Sequence, residues 1–310
     1  MTSTTPMIID PALREQWHAQ FGDTLAFDVP MSAHTSWRVG GLAQVLFQPR
    51  SLESLSQFVR ELPAQIPLHW VGLGSNLLVR DGGVAGVVVT TKKLPHDIAQ
   101  DAQGDVVASA GTPCTTLARQ LVRWGLGPSE FFAGIPGSLG GALTMNAGAH
   151  GHETWDVVRF ARLLHRDGRI RQYTPGDFKI AYRSVVLPAQ GWFVGATLRF
   201  DPDYEPSLQH MRELQDRRKQ TQPLGLPSCG SVFRNPDGDH AARLIEVAGL
   251  KGHQIGGAQV SPKHANFIIN TGAATAADIE ALITHVQDTV SQHHSVALTH
   301  EVRFLGEAVA

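Results

Sequence analysis

The chain has 310 residues, more than one hydrophobic core usually organises. Its 26 Lys and Arg stand against 28 Asp and Glu, so there is no electrostatic footprint for a nucleic acid or an anionic membrane, and any anionic ligand must be held by local chemistry. Two cysteines, Cys114 and Cys229, are too few for a disulfide framework and fit a reduced, cytoplasmic chain, and no stretch approaches the roughly 18 apolar residues of a membrane span.

Residues 1–20 lack a basic region followed by an apolar core and are expected to form an N-terminal extension. SLESLSQFVREL (51–62) places Leu52, Leu55, Phe58, Val59 and Leu62 at helical spacing, between strands expected at 68–74 and 86–91. Residues 105–127 give a further strand feeding an amphipathic helix that stops near Gly125 and Gly127. From about 156 the pattern turns to short strands, 157–168 and 192–200, with a turn at Asp167-Gly168, which predicts an antiparallel region. The segment 201–228, acidic and Pro-containing at its start and Pro-rich at its exit, carries a polar helix and reads as a crossing into a third lobe. That lobe holds helices at 240–250 and 275–294 and strands at 264–270 and 297–306. The expected division is 1–20, 21–93, 94–203 and 204–310.

The 31 glycines gather in clusters. GLGSN (72–76) follows an apolar strand, so its amides can converge on a phosphate, with Ser75 and Asn76 as added donors. The third glycine and the downstream acid of the dinucleotide fingerprint are missing, which disfavours a Rossmann fold. GIPGSLGGALTMNAGAHG (134–151) packs six glycines into an apolar frame. It reads as a long backbone surface pressed against a flat or extended ligand, with Ser138 and Asn146 as polar contacts; the alternative is close helix packing through glycine faces.

These strings, with HTSWRVGG (34–41), AYRSV (181–185), RRKQTQP (217–223), PSCGSVFRNP (227–236), 240–270 and EVRFLG (301–306), occur in one order. In that order the sequence resembles the UDP-N-acetylenolpyruvoylglucosamine reductases. The resemblance implies an α+β protein: a two-subdomain FAD-binding fold of the vanillyl-alcohol-oxidase type, followed by a C-terminal α+β substrate domain. It implies noncovalent FAD, NADPH as co-substrate and UDP-N-acetylglucosamine enolpyruvate as substrate, in a monomer of the type without the extra substrate-covering loop. By carry-over, Gly72, Gly74, Ser75 and Asn76 meet the pyrophosphate, and Ile135, Pro136, Gly137, Ser138, Gly141, Asn146 and Gly148 line the flavin and its ribityl chain. Tyr182, Arg217, Lys219, Gln222, Asn235, Gln259, His264 and Asn266 are expected to face the nucleotide sugar.

Arg183, Ser231 and Glu301 occupy the positions of the family's catalytic trio. Adding hydride to an enol ether that bears a carboxylate requires a fixed cation for the charge moving onto that carboxylate, and a guanidinium fork matches it. The adjacent carbon then needs a proton, which a serine hydroxyl can give to so basic a centre. Glu301 is expected on an alternating strand near the substrate carboxylate, holding a proton at a raised pKa. Taken alone, AYRS reads rather as a surface Arg, Ser231 as a capping or turn residue and Glu301 as a solvated strand-edge carboxylate; the family positions carry the functional reading. Cys229 reads as a structural thiol, and the fifteen histidines show no metal-ligand spacing. The rival readings are a flavin oxidase on the same fold and a nucleotide-sugar binding protein without redox chemistry.

Overall fold

The computed structural model describes residues 9–309, in which four hydrophobic cores fall into three lobes along the chain, two of them on the sheet of the first lobe. The first lobe contains α1 (Pro11–Phe21), β1 (Leu25–Pro30), β2 (Leu42–Phe47), α2 (Leu52–Glu61), β3 (Leu68–Val71), β4 (Leu77–Val79) and β5 (Val84–Thr90). Its sheet runs β1-β2-β5-β3, antiparallel between β1 and β2 and parallel elsewhere. Helix α2 begins where the Ser51 hydroxyl accepts from the Ser54 amide, and it ends at Leu62, ahead of Pro63. Its buried face carries Leu55, Phe58 and Val59, and the Phe58 ring stacks on Phe47 of the sheet at 4.2 Å. Burying one such phenyl ring contributes about 1.5–3 kcal/mol. Helix α1 is no detached extension. Trp17 and Phe21 bury themselves in the same core, Trp17 against Phe58, so an expected extension over 1–20 holds for none of its described residues except as the start of the first lobe; residues 1–8 lie outside the described region.

The second lobe comprises β6 (Ile98–Gln100), β7 (Val106–Ser109), α3 (Cys114–Arg123), α4 (Leu139–Met145), β8 (Gly148–Ala149), β9 (His152–Glu153), β10 (Val158–Leu164), β11 (Ile170–Tyr173), β12 (Lys179–Ala181), β13 (Ser184–Val186) and β14 (Trp192–Leu198). Five strands form an antiparallel sheet in the order β11-β10-β14-β7-β6, so the antiparallel region takes in strands well before residue 156. The β10–β11 hairpin turns at Asp167-Gly168, with Gly168 at φ 76°.

The third lobe contains α5 (Leu208–Thr221), α6 (Ala241–Val247), β15 (Gln254–Ile255), β16 (Ala258–Val260), β17 (Ile268–Asn270), α7 (Ala276–His294) and β18 (Arg303–Leu305). Helix α5 is a crossing in the physical sense: Met211 packs into the second core, and Glu130 of the second lobe accepts from the Ser207 amide at its start. Helix α7 ends at Ser295 in the left-handed conformation, φ 55°, a position that favours glycine.

First and third lobes are tied in several ways. Trp37, fully buried, sits in the third core and donates its indole N–H to Ile268 O. The Asp81 carboxylate accepts the Ala276 and Ala277 amides at the start of α7, and Arg80 meets Glu280 through two hydrogen bonds of 3.0 and 2.7 Å. Strand β18 pairs in parallel with β4, Arg303 opposite Leu77. The strand expected over 297–306 thus begins only at Arg303, and Glu301 lies in the irregular segment before it. The reason is the parallel pairing, which offers β4 as a partner only from Leu77 onward.

Candidate active site

A cavity of about 530 Å³ opens where the three lobes meet. Its floor is two glycine-bearing turns pressed together. Gly74, at φ 72°, would place a Cβ 2.0 Å from His34 O, so only glycine fits there. A Cβ on Gly72 would stand 2.8 Å from Ser138 Oγ, and one on Gly137 would stand 2.7 Å from Ser75 Oγ, while Ser75 Oγ donates to Pro136 O. Ser138 is buried with no hydrogen-bond partner for its hydroxyl. A buried polar group left unpaired is costly, which marks this hydroxyl as aimed at a ligand.

Residues 139–145 of the glycine-rich run form α4, so both sequence readings of that run apply, to different residues. Gly140 packs against β7, where a Cβ would meet the Ala110 Cβ at 3.0 Å. Gly141, on the cavity, has nothing nearer than Ser138 Oγ at 3.9 Å. Gly148 lines the cavity as well, but a Cβ there would strike His152 O of its own hairpin at 2.3 Å. Ile135, Pro136 and Gly137 are at the cavity wall.

Asn146 is not at the wall. It ends α4 in the left-handed conformation, and its side chain donates to Glu153 and accepts from the Trp155 amide. Its carbonyl accepts from Arg183 Nη1, and Gly148 O accepts from Arg183 Nη2, each at 3.1 Å. Arg183 belongs to the two-residue turn between β12 and β13, at φ 54°, with its guanidinium over the exposed Tyr182 ring at 4.8 Å. A non-glycine residue in that region stores roughly 1–3 kcal/mol, a cost typical of functional sites.

From the third lobe, Arg183 Nε meets Glu301 Oε1 at 3.2 Å. Burial pushes the Glu301 carboxyl above the usual carboxylate range, against the opposing pull of Arg183 and Arg234. The backbone of Glu301 is fixed at both ends, its amide donating to Val232 O at 2.7 Å and its carbonyl accepting from Asn76 Nδ2 at 3.1 Å. Ser231, half-buried after Gly230 at φ 71°, also faces the cavity. Its segment is held by buried Asn266, which accepts from the Phe233 amide and donates to Phe233 O.

Of the residues expected to face the sugar nucleotide, Tyr182, Arg217, Gln222, Asn235 and Asn266 border the cavity; Gln222 accepts from Arg218 and Asn235 accepts from the Ala241 amide. Lys219 pairs with Asp216 on the surface, Gln259 donates to Gly252 O, and His264 packs on Phe267; none of these three is at the wall. Sequence reasoning missed Arg218, His150 and Arg303, all at the wall. The paired arginines of RRKQTQP were the available signal for Arg218. The His150 imidazole is held below its ordinary range by burial, then by Arg218, Arg217 and His210, so it is neutral at pH 7. Cys229 is a structural thiol, buried, contacting Leu77 O at 3.5 Å and pushed up to about 12 by that burial. Among the described residues no group of three His, Cys, Asp or Glu can hold a metal ion.

Residues 43–174 match the family described as FAD binding domain, and residues 222–305 match UDP-N-acetylenolpyruvoylglucosamine reductase, C-terminal domain. The chain is 54% identical over 280 residues to the UDP-N-acetylenolpyruvoylglucosamine reductase of Alkalilimnicola ehrlichii, covering 90% of this chain and 94% of that one. The chain belongs to the UDP-N-acetylenolpyruvoylglucosamine reductase family. The reductase of Methylococcus capsulatus is 53% identical over 282 residues, covering 91% and 93% of the two chains. The crystal structure of the Thermus caldophilus reductase superposes with a TM-score of 0.76 at 33% identity, over 89% of this chain and 97% of that one. The fold is therefore the family's α+β architecture, an FAD-binding domain with a reductase-specific C-terminal domain. The residues present fit FAD: the unpaired Ser138 hydroxyl, the tight approach of Gly72 to Ser138 and the open space over Gly141 are what a diphosphate and a flat ring require.

Proposed function

We propose that this chain is the reductase that converts UDP-N-acetylglucosamine enolpyruvate into UDP-N-acetylmuramate with NADPH as hydride donor. The observation that carries the reading is the 3.2 Å contact of Arg183 with Glu301 in the glycine-floored cavity that Ser231, from a third segment, also lines. When bound, FAD supplies the means of passing hydride from NADPH to the enolpyruvyl carbon. Gly72, Gly74 and Ser75, with Ser138 opposite, would hold its diphosphate, and Ile135 to Gly137, Gly141 and Gly148 its ribityl and ring portions.

Arg183 holds the substrate carboxylate and stabilises charge that moves onto it. Two of its five N–H donors are committed to Asn146 O and Gly148 O, which leaves three for the substrate, among them Nε–H beside Glu301. Glu301, whose carboxyl burial pushes above the ordinary carboxylate range, is placed to share a proton with the carboxylate oxygen, because two ionised carboxylates on one guanidinium edge would repel. Ser231 gives the proton that completes the product. Tyr182, Arg217, Gln222, Asn235 and Asn266 border the cavity and would face the nucleotide sugar, with Lys219, Gln259 and His264 on the same segments behind them. A nucleotide-sugar substrate together with two buried free thiols supports work in the cytoplasm.

An absorption spectrum of the purified protein tests this. Flavin bands should be bleached by NADPH and restored anaerobically by the enolpyruvyl sugar. Restoration by oxygen alone would overturn the proposal in favour of an oxidase.

A further inference from the structure

We propose that the side chain of Asn76 is a positioning residue for Glu301, tying the diphosphate-binding turn to the proton-handling end of the cavity. This rests on the reductase reading above. Asn76 closes the glycine turn after β3, where a side-chain donor would ordinarily be assigned to phosphate. Its amide instead donates to Glu301 O at 3.1 Å, and its own carbonyl accepts the Arg303 amide at 3.1 Å. One residue therefore brackets 301–303, immediately before the β4–β18 pairing begins at Leu77 and Arg303.

Glu301 needs such a bracket because it belongs to no helix or strand. Two backbone bonds fix it: the amide goes to Val232 O, the residue after Ser231, and the carbonyl goes to Asn76. Remove the second bond and the carboxyl can rotate away from Arg183 Nε, 3.2 Å distant, although every group that touches substrate is still present. A catalytic group misplaced by about 1 Å loses on the order of 100-fold in rate. Asparagine is suited to the place because the partner is a carbonyl, which needs a donor; an aspartate of the same size presents an acceptor and repels it.

The experiment compares the two half-reactions in Asn76→Ala and in the isosteric Asn76→Asp. Flavin content and bleaching by NADPH should stay near the wild-type values. Reoxidation at saturating enolpyruvyl sugar should fall by about 10- to 100-fold, in the limiting rate rather than in the substrate concentration needed. In a Glu301→Gln background, Asn76→Ala should add little, because the group it positions is already gone. Loss of flavin with both half-reactions falling together would overturn the proposal and make Asn76 a phosphate contact. So would a reoxidation loss of the same size with and without Glu301. Should the alanine variant fail to fold, the aspartate variant carries the same comparison. Failure of the reductase reading itself would show separately, as wild-type flavin that the sugar does not reoxidise.

Discussion

Replacing Ser138 by alanine should move stability and cofactor affinity in opposite directions. The hydroxyl is buried and unpartnered, and although Ser138 precedes α4 it makes no capping bond. Deleting it removes an unsatisfied polar group whose burial costs roughly 1–3 kcal/mol, at the loss of no bond within the protein. Flavin-free Ser138→Ala should therefore be more stable by about 1 kcal/mol, a rise of roughly 2 °C in Tm for a chain of this size. On the proposed placement the same hydroxyl would meet a phosphate of FAD, a bond worth about 1.5–3 kcal/mol, so FAD should bind roughly 10- to 150-fold more weakly. Melting of the flavin-stripped protein gives the first quantity, and titration with FAD followed by quenching of flavin fluorescence gives the second. A variant that melts lower than wild type yet binds FAD as tightly would refute the assignment of this hydroxyl to the cofactor.

Ser231→Ala should still let NADPH bleach the flavin at close to the normal rate while reoxidation falls at least about 100-fold, as loss of a proton donor requires; normal reoxidation at saturating sugar would move that role elsewhere. The pH dependence of reoxidation should carry a limb from Glu301, which faces Arg183 and Arg234. Its pKa is raised, so the protonated form persists above the ordinary carboxylate range and activity is lost as pH rises through the raised value; Glu301→Gln should abolish that limb, and a limb that stays would belong to another group. Ser295→Gly at the left-handed end of α7 should stabilise the protein by about 1 kcal/mol, read from thermal or denaturant melts, because glycine adopts φ 55° without the Cβ penalty.

Much of this was legible from residue pattern. Helix α2 declared itself through apolar spacing, and the glycine clusters fall on the backbone that lines the cavity. What pattern could not reveal was direction. Asn76 and Asn146 sit in the glycine-rich strings, yet their side-chain amides donate within the protein, to Glu301 O and to Glu153. Composition cannot say which of two neighbouring polar residues finds its partner inside the protein. The placement of Glu301 escaped for a related reason: alternation over THEVRFLG predicts a strand, but its partner β4 lies more than 200 residues away and begins to pair only at Arg303. Lys219, Gln259 and His264 lay on the expected segments, and local partners drew them off the wall.

The return of β18 to β4 also orders events during synthesis. Domains commonly fold as they emerge, N-terminal first. Here the first lobe is made early, but among the described residues β4 pairs with β18 alone, more than 200 residues later, and Gly82 and Gly83 exchange hydrogen bonds with Glu307. The glycine turn that precedes β4 therefore gains this support only once residues 303–307 have been made, more than 200 residues after the turn itself.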